Sequence, residues 1–250
     1  MDRSREERLA RAFVELADTL VDDFDVIDLM TTLTCHCVDL LDVASSGVML
    51  TDLDGSLVVM GASSELAREF EIRELQSDQG PCLDSYRTGT VQSAPDLDRE
   101  TRWPRFTGPA RDLGFRSVQA VPLRLRRRVI GALNLMDTRP DTLTPVDLRL
   151  AQALADMATV GLLSHRQAGL PDPITDQLQA VRTSRVLLEQ AVNVVAERRQ
   201  TDTATAYRAL SQRARAEGTT LTVVARAVAL GTVDVTDLSL EAAEQDRDLA

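Results

Sequence analysis

One short segment, Ala168-Gly-Leu-Pro-Asp-Pro173, limits what this chain can fold into more than any other. Pro171 and Pro173 each push the preceding residue out of the helical region of backbone space, so a helix cannot run through the segment undisturbed. Before it, helical and strand-like periodicities alternate. After it no strand pattern occurs, and the stretch from Thr175 to Arg199 holds neither Gly nor Pro. The chain therefore reads as an α+β-patterned part at 1–167, a linker at 168–173, a helical part at 174–232 and a weakly patterned acidic tail at 233–250, expected to be disordered.

In the first part, Leu9, Phe13, Leu16 and Leu20 recur at helical spacing. Ile27, Met30, Leu33, Cys37 and Leu40 repeat the pattern behind Asp25, a plausible N-cap. Residues 45–63 then read as two strands, with Val48 and Leu50 alternating on the first and Leu57 and Val59 on the second, about a turn at Asp54-Gly55. Short helices are expected at Glu65–Leu75 and Cys82–Arg87, a strand at Val91–Ser93, and a helix at Arg102–Leu113 interrupted by Pro104. Strands at Ser117–Leu125 and Val129–Met136 follow, and an amphipathic helix from Pro145 to about His165 closes the part. Strands bracketed by helices at both ends predict an α+β domain: an antiparallel sheet flanked by helices.

In the second part, positions 178, 181, 185, 188, 192 and 195 carry Leu, Val, Arg, Leu, Val and Val at alternating steps of three and four. This is a heptad seam along a helix of ~37 Å, a coiled-coil pattern interrupted by Arg185. A second helix is expected from a cap at Thr201 or Asp202 to a stop at Gly218. A third runs from a cap at Thr219 or Thr220 to Gly231. Three short helices make a marginal core, so the seam is expected to pack against a second chain as a homodimer.

The net charge of −11 alone would argue against a nucleic-acid partner, yet the charge is unevenly distributed. Residues 1–172 carry −9, residues 173–232 carry +3 and residues 233–250 carry −5, so a basic block lies between two acidic ones. All 28 basic residues are Arg, a bias expected from a GC-rich coding sequence and compatible with bidentate phosphate contacts. Three cysteines are too few and too odd in number for a disulfide framework. There is no long apolar run, and the charged amphipathic start does not resemble a signal peptide. A soluble, cytoplasmic protein is the expectation.

Several residues have chemistry to offer. Cys35-His36-Cys37 has metal-ligand types, but neighbours on a helix point about 100° apart, and no metal site or cofactor is expected. His36 and His165 could ligate haem, with no supporting motif. Cys82 begins a short helix, whose terminal amides favour a thiolate, and is a candidate redox-sensing thiol. Trp103 and Phe106 are candidates for lining a ligand cleft and equally good core fillers. The Arg cluster at 124 and 126–128 reads as a solvated hairpin turn. In the helical part, Arg182, Arg185, Arg198, Arg199, Arg208, Arg213, Arg215 and Arg226 lie near Tyr207, offering charge for phosphate and a ring for an unstacked base.

The residues of the first part resemble a GAF domain of the kind fused to ANTAR domains in bacterial regulators. The resemblance is carried by QGPCLDSYRTGTVQSAPDL at 79–97, Arg102-Trp-Pro-Arg-Phe106, GFRSVQAVPLRL at 114–125, VIGALNLMD at 129–137 and AQALADMA in the closing helix. Residues 174–231 resemble the ANTAR domain, a three-helix RNA-binding module, at Arg185, Leu188, Gln190, Ala191, Ala206-Tyr207, Leu210, Ser211, Leu221, Val224 and Ala225. Val192 and Asn193 stand where that family has Lys and Gly.

The resemblance implies a non-enzymatic, signal-responsive transcription antiterminator. Its GAF domain would sense an unknown small-molecule or redox signal, and its ANTAR domain would bind tandem hairpins in mRNA leaders. Arg182, Arg185, Gln190, Arg198, Arg199, Tyr207, Arg208, Arg213 and Arg215 are the expected RNA contacts. An alternative is a degenerate module kept for dimerisation or protein interaction. Free methionine sulfoxide reductases of the GAF type supply an enzymatic alternative through Cys82, although residues 94–112 contain no resolving cysteine.

Overall fold

A computed structural model of the chain describes residues 3–18, 25–52, 54–125, 128–164 and 173–238. The chain divides into two compact units, Met1–Arg182 and Thr183–Ala250.

The first unit comprises α1 (Arg3–Asp18), α2 (Val26–Leu41), β1 (Ser45–Thr51), β2 (Leu57–Ala62), α3 (Glu65–Ser77), α4 (Pro81–Thr88), β3 (Gln92–Ala94), α5 (Pro104–Asp112), β4 (Ser117–Leu125), β5 (Arg128–Asp137) and α6 (Pro145–Ser164). The strands form one antiparallel sheet in the order β2-β1-β5-β4-β3. This is the α+β architecture that the pattern predicts.

Local chemistry sets the element ends. Asp25 caps α2, its Oδ1 accepting from Ile27 N at 2.8 Å, and Ser64 caps α3 through Ala67 N at 3.1 Å. Pro104, expected to interrupt a helix, instead starts α5, where the missing N–H costs nothing. Thr144 and Asp147 bond reciprocally at the start of α6, and Asp147 also accepts from Arg5 at 2.6 Å, tying α1 to α6.

The pleat sorts side chains between the faces. Val48 faces α2, and its partner Gly61 lets the α2 backbone at Met30 come so close that a Cβ would not fit. Gly47, Met49, Ala132 and Asn134 face the other way, toward α3 and α4. On that face Phe70 meets Phe106 and Phe115 edge to face, each at 5.3 Å.

The second unit contains α7 (Pro173–Arg199, whose side chains are described from Thr183), α8 (Thr203–Glu217), α9 (Leu221–Ala229) and a 3-10 turn at Val235–Asp237. Asp202 and Thr220 cap α8 and α9 through Thr205 N at 2.7 Å and Val223 N at 3.1 Å. The core draws Ala191, Val192 and Val195 from α7, Leu210 from α8, Val224 and Val228 from α9, and then Val235 and Leu238.

Two expectations change here. Val192 and Val195, two of the six seam positions, are already buried within the single chain, so they are not free to line an interface with a second copy. Positions 178 and 181 lie outside the described side chains. Residues 233–238, expected to belong to a disordered tail, instead form part of this unit. Arg199 Nη1 donates to the carbonyls of Val235, Thr236 and Leu238 at 2.7, 3.1 and 2.9 Å, holding that segment in place. Residues 239–250 lie outside the described residues.

Candidate functional site

The face of the sheet under α3 and α4 contains a fully buried polar cluster. Glu71 and Glu74 lie one turn apart on α3, both fully buried. β5 supplies Asn134, whose Nδ2 donates to Glu71 Oε1 and Oε2 at 3.1 and 3.2 Å and to Glu74 Oε2 at 2.7 Å. The first turn of α4 supplies the backbone N–H groups of Cys82 and Leu83, which donate to Glu74 Oε1 at 2.7 and 3.4 Å. Asn134 Oδ1 is buried and has no hydrogen-bond partner.

Glycines make room for the carboxylates. A Cβ on Gly47 would overlap the Glu71 side chain, and one on Gly80 would overlap Glu74. Gly80 also holds φ at 151°, a conformation that L residues rarely adopt.

Burial governs the proton chemistry of this cluster. It pushes Glu71 well above the carboxylate range, the neighbouring Glu74 adds to the shift, and the Asn134 bond opposes it. Burial pushes Glu74 up to about 7, against the bonds from Asn134, Cys82 and Leu83. The buried pair therefore holds on to a proton near neutrality.

Cys82 is fully buried and donates through Sγ to Ala132 O at 3.6 Å. The thiolate expected at this helix start is not favoured, because Glu74 has taken the amides that would have stabilised it. Burial, then Glu74 and Glu71, push the thiol well above its ordinary range. Glu71, Glu74 and Cys82 nonetheless present one ligand atom each within 4.8 Å of one another.

Trp103 and Phe106 belong to the aromatic core around Phe70, with Trp103 Nε1 donating to Asp84 at 2.8 Å. Cys35 is exposed and Cys37 is buried, its thiol pushed by burial up to about 12. His36 faces Glu15 at 3.1 Å. The side chain of His165 lies outside the described residues. Glu71, Glu74 and Asn134 escaped the sequence reading, since glutamates on a surface-like helix and an Asn in a strand carry no signal of burial.

In the helical unit, Gln190, Arg198, Arg208 and Arg226 are exposed and Tyr207 is half-buried. Arg208 Nη2 donates to Thr205 at 2.8 Å. Arg185 pairs with Glu189 at 2.7 Å and Arg213 with Glu217 at 2.6 Å, both one helical turn apart. Arg199 is taken up by the three carbonyls, so it is a structural tie instead of the expected phosphate contact. The side chains of Arg182 and Arg215 lie outside the described residues.

A model of the GAF domain matches residues 25–162, and a model of the ANTAR domain matches residues 176–228. No curated protein matches the chain. Among solved structures, the GAF domain of an Acinetobacter phosphoenolpyruvate-protein phosphotransferase is 16% identical with a TM-score of 0.54, covering 69% of this chain and 100% of its own. The free methionine-R-sulfoxide reductase of Neisseria meningitidis, solved with its substrate, is 15% identical with a TM-score of 0.48, covering 74% of this chain and 95% of its own. At 16% identity the first of these likenesses is one of fold alone. The chain belongs to the GAF-domain family and carries an ANTAR domain after its GAF domain.

Proposed function

We propose that this protein is a signal-responsive transcription antiterminator of the cytoplasm. In this reading its ANTAR domain binds paired hairpins in nascent mRNA and stabilises an antiterminator hairpin at the expense of the terminator. The carrying observation is that Gln190, Arg198, Arg208 and Arg226 are exposed on the helical unit of a chain whose other segments are acidic. Exposed guanidinium groups engage phosphates bidentately, while half-buried Tyr207 presents a ring to an unstacked base. A homodimer would engage two hairpins at once, raising the effective concentration of the second hairpin.

The protein acts in this reading without catalysis. A thiol reductase needs an attacking thiolate and a resolving thiol within reach. Here the Cys82 thiol is disfavoured as a thiolate, and Cys37 bonds to Ser46, on the opposite face of the sheet.

The test is binding of the full-length chain to a paired-hairpin RNA and to a scrambled control across a salt series. Preferential binding with a negative log–log salt slope is expected. Replacing Arg198 and Arg208 together by Ala should make that slope shallower by about 0.7 to 0.9 for each phosphate that is no longer neutralised. Equal affinity for the scrambled RNA would favour the alternative, a module retained for dimerisation or protein interaction.

A further inference from the structure

We propose that Glu71, Glu74, Cys82 and Asn134 form a buried four-ligand site for a divalent cation of borderline softness, zinc in the first instance. The donor set itself selects this class: carboxylate oxygens suit hard ions, a thiolate suits soft ones, and zinc accepts both. The ligand atoms of Glu71, Glu74 and Cys82 lie within 4.8 Å of one another. A tetrahedral ion with bonds of about 2.0 to 2.3 Å sets its ligands roughly 3.3 to 3.8 Å apart, so closure needs a contraction of about an ångström.

Asn134 is the independent observation. Its side chain is fully buried within the cluster, and its Oδ1 has no hydrogen-bond partner. Half a turn of the amide exchanges oxygen for nitrogen. That brings Oδ1 to the position where Nδ2 now stands 2.7 to 3.2 Å from the carboxylate oxygens. The same side chain thus suits the metal-free cluster as a donor and the metal-bound one as a ligand.

The surroundings suit the charge. A dication against two carboxylates and a thiolate leaves one negative charge, which faces the amides of Cys82 and Leu83 at the start of α4. The ion itself ionises a coordinating thiol, reversing the preference that burial imposes on Cys82 in its absence. Four protein ligands from α3, α4 and β5 leave no open position, so the ion would clamp both helices to the sheet and would not activate water.

The experiment strips the full-length protein with a chelator and reloads it with one equivalent of cobalt(II), then with zinc. The expected results are a near-ultraviolet sulfur-to-cobalt charge-transfer band, visible bands of tetrahedral intensity, and about one zinc per chain after gel filtration. Cys82→Ser should abolish the charge-transfer band while Cys35→Ser leaves it unchanged, and Glu74→Gln should weaken cobalt binding at least tenfold. Zinc-edge X-ray absorption on the unaltered protein is independent of whether the variants fold. One sulfur at about 2.3 Å with oxygens at about 2.0 Å is expected. A shell without sulfur, a band that survives in Cys82→Ser, or no retained zinc would overturn the site. RNA affinity enters none of these readouts, so failure here leaves the antiterminator reading untouched.

Discussion

Glu71 and Glu74 occupy space that two glycines leave open, which makes those glycines the most sensitive residues near the cluster. Gly80→Ala adds a Cβ that overlaps Glu74 at a φ of 151°. Overpacking of this kind typically costs about 1 to 3 kcal/mol, and backbone strain adds to it. Urea denaturation should show a loss of about 3 kcal/mol. Gly55→Ala, also at positive φ but in open space, should lose less.

The carboxyl pair also sets a pH dependence in chelator-treated protein. Glu74 rises from an ordinary value near 4.5 to about 7 on folding. A raised carboxyl favours folding in its protonated form, so its contribution is complete below the unfolded value and disappears as pH climbs through about 7. Glu74 alone should therefore lower stability by roughly 3 kcal/mol between about pH 5 and 8, and Glu71, which burial also raises, deepens the fall. Glu74→Gln, which cannot ionise, should make that decline shallower and leave the part due to Glu71. Thermal melts across this range check both, and a stability that rises with pH over the same range would contradict the assignment.

At the level of elements, the end of α7 depends on an interaction that spans the helical unit. Arg199 gathers three carbonyls from the segment around the 3-10 turn, behind which Val235 and Leu238 are buried. Hydrogen bonds from a charged group contribute about 1.5 to 3 kcal/mol each where they are shielded, and less where water competes. Arg199→Ala should cost about 2 kcal/mol and speed amide hydrogen exchange at 235–238. A drop in RNA affinity in that variant, with exchange unchanged, would instead make Arg199 a phosphate ligand. Val192 is instructive for the same reason. It stands at the position where the ANTAR pattern has Lys, yet it is buried here, so the departure is a core residue and Val192→Lys would bury an ammonium.

The caps and stops of these elements were legible in the spacing alone. Asp25, Asp202 and Thr220 bond to the amides that their positions predict, and Gly218 and Gly231 take positive φ. Such signals act within a few residues and need no tertiary partner. The heptad seam was legible only in part, because an apolar stripe shows that a face is buried and not what buries it.

Across the whole molecule, charge is the property with the longest reach. The acidic segment after Leu238 follows a basic block, and at low ionic strength it can compete with phosphate for exposed guanidinium groups. Deleting residues 239–250, which leaves the Arg199 hydrogen bonds intact, should raise RNA affinity several-fold at low salt and hardly at all near physiological salt. Equal affinity at both would reduce the tail's charge to a role in solubility.

The amino-acid sequence by itself determined the α+β pattern of the first part, the helical pattern of the second and the families these resemble. Each of those is written in local spacing, in which hydropathy, capping residues and breakers act on their immediate neighbours. Only the tertiary structure decided that two glutamates are buried against Asn134 from a distant strand, that Cys82 lies beside them with its helix-start amides already taken, and that Arg199 serves the fold. A helix pattern distinguishes faces by hydropathy alone. A polar side chain whose partners arrive from another strand or helix, more than 60 residues away in the case of Glu71 and Asn134, therefore looks solvent-exposed until the chain has folded.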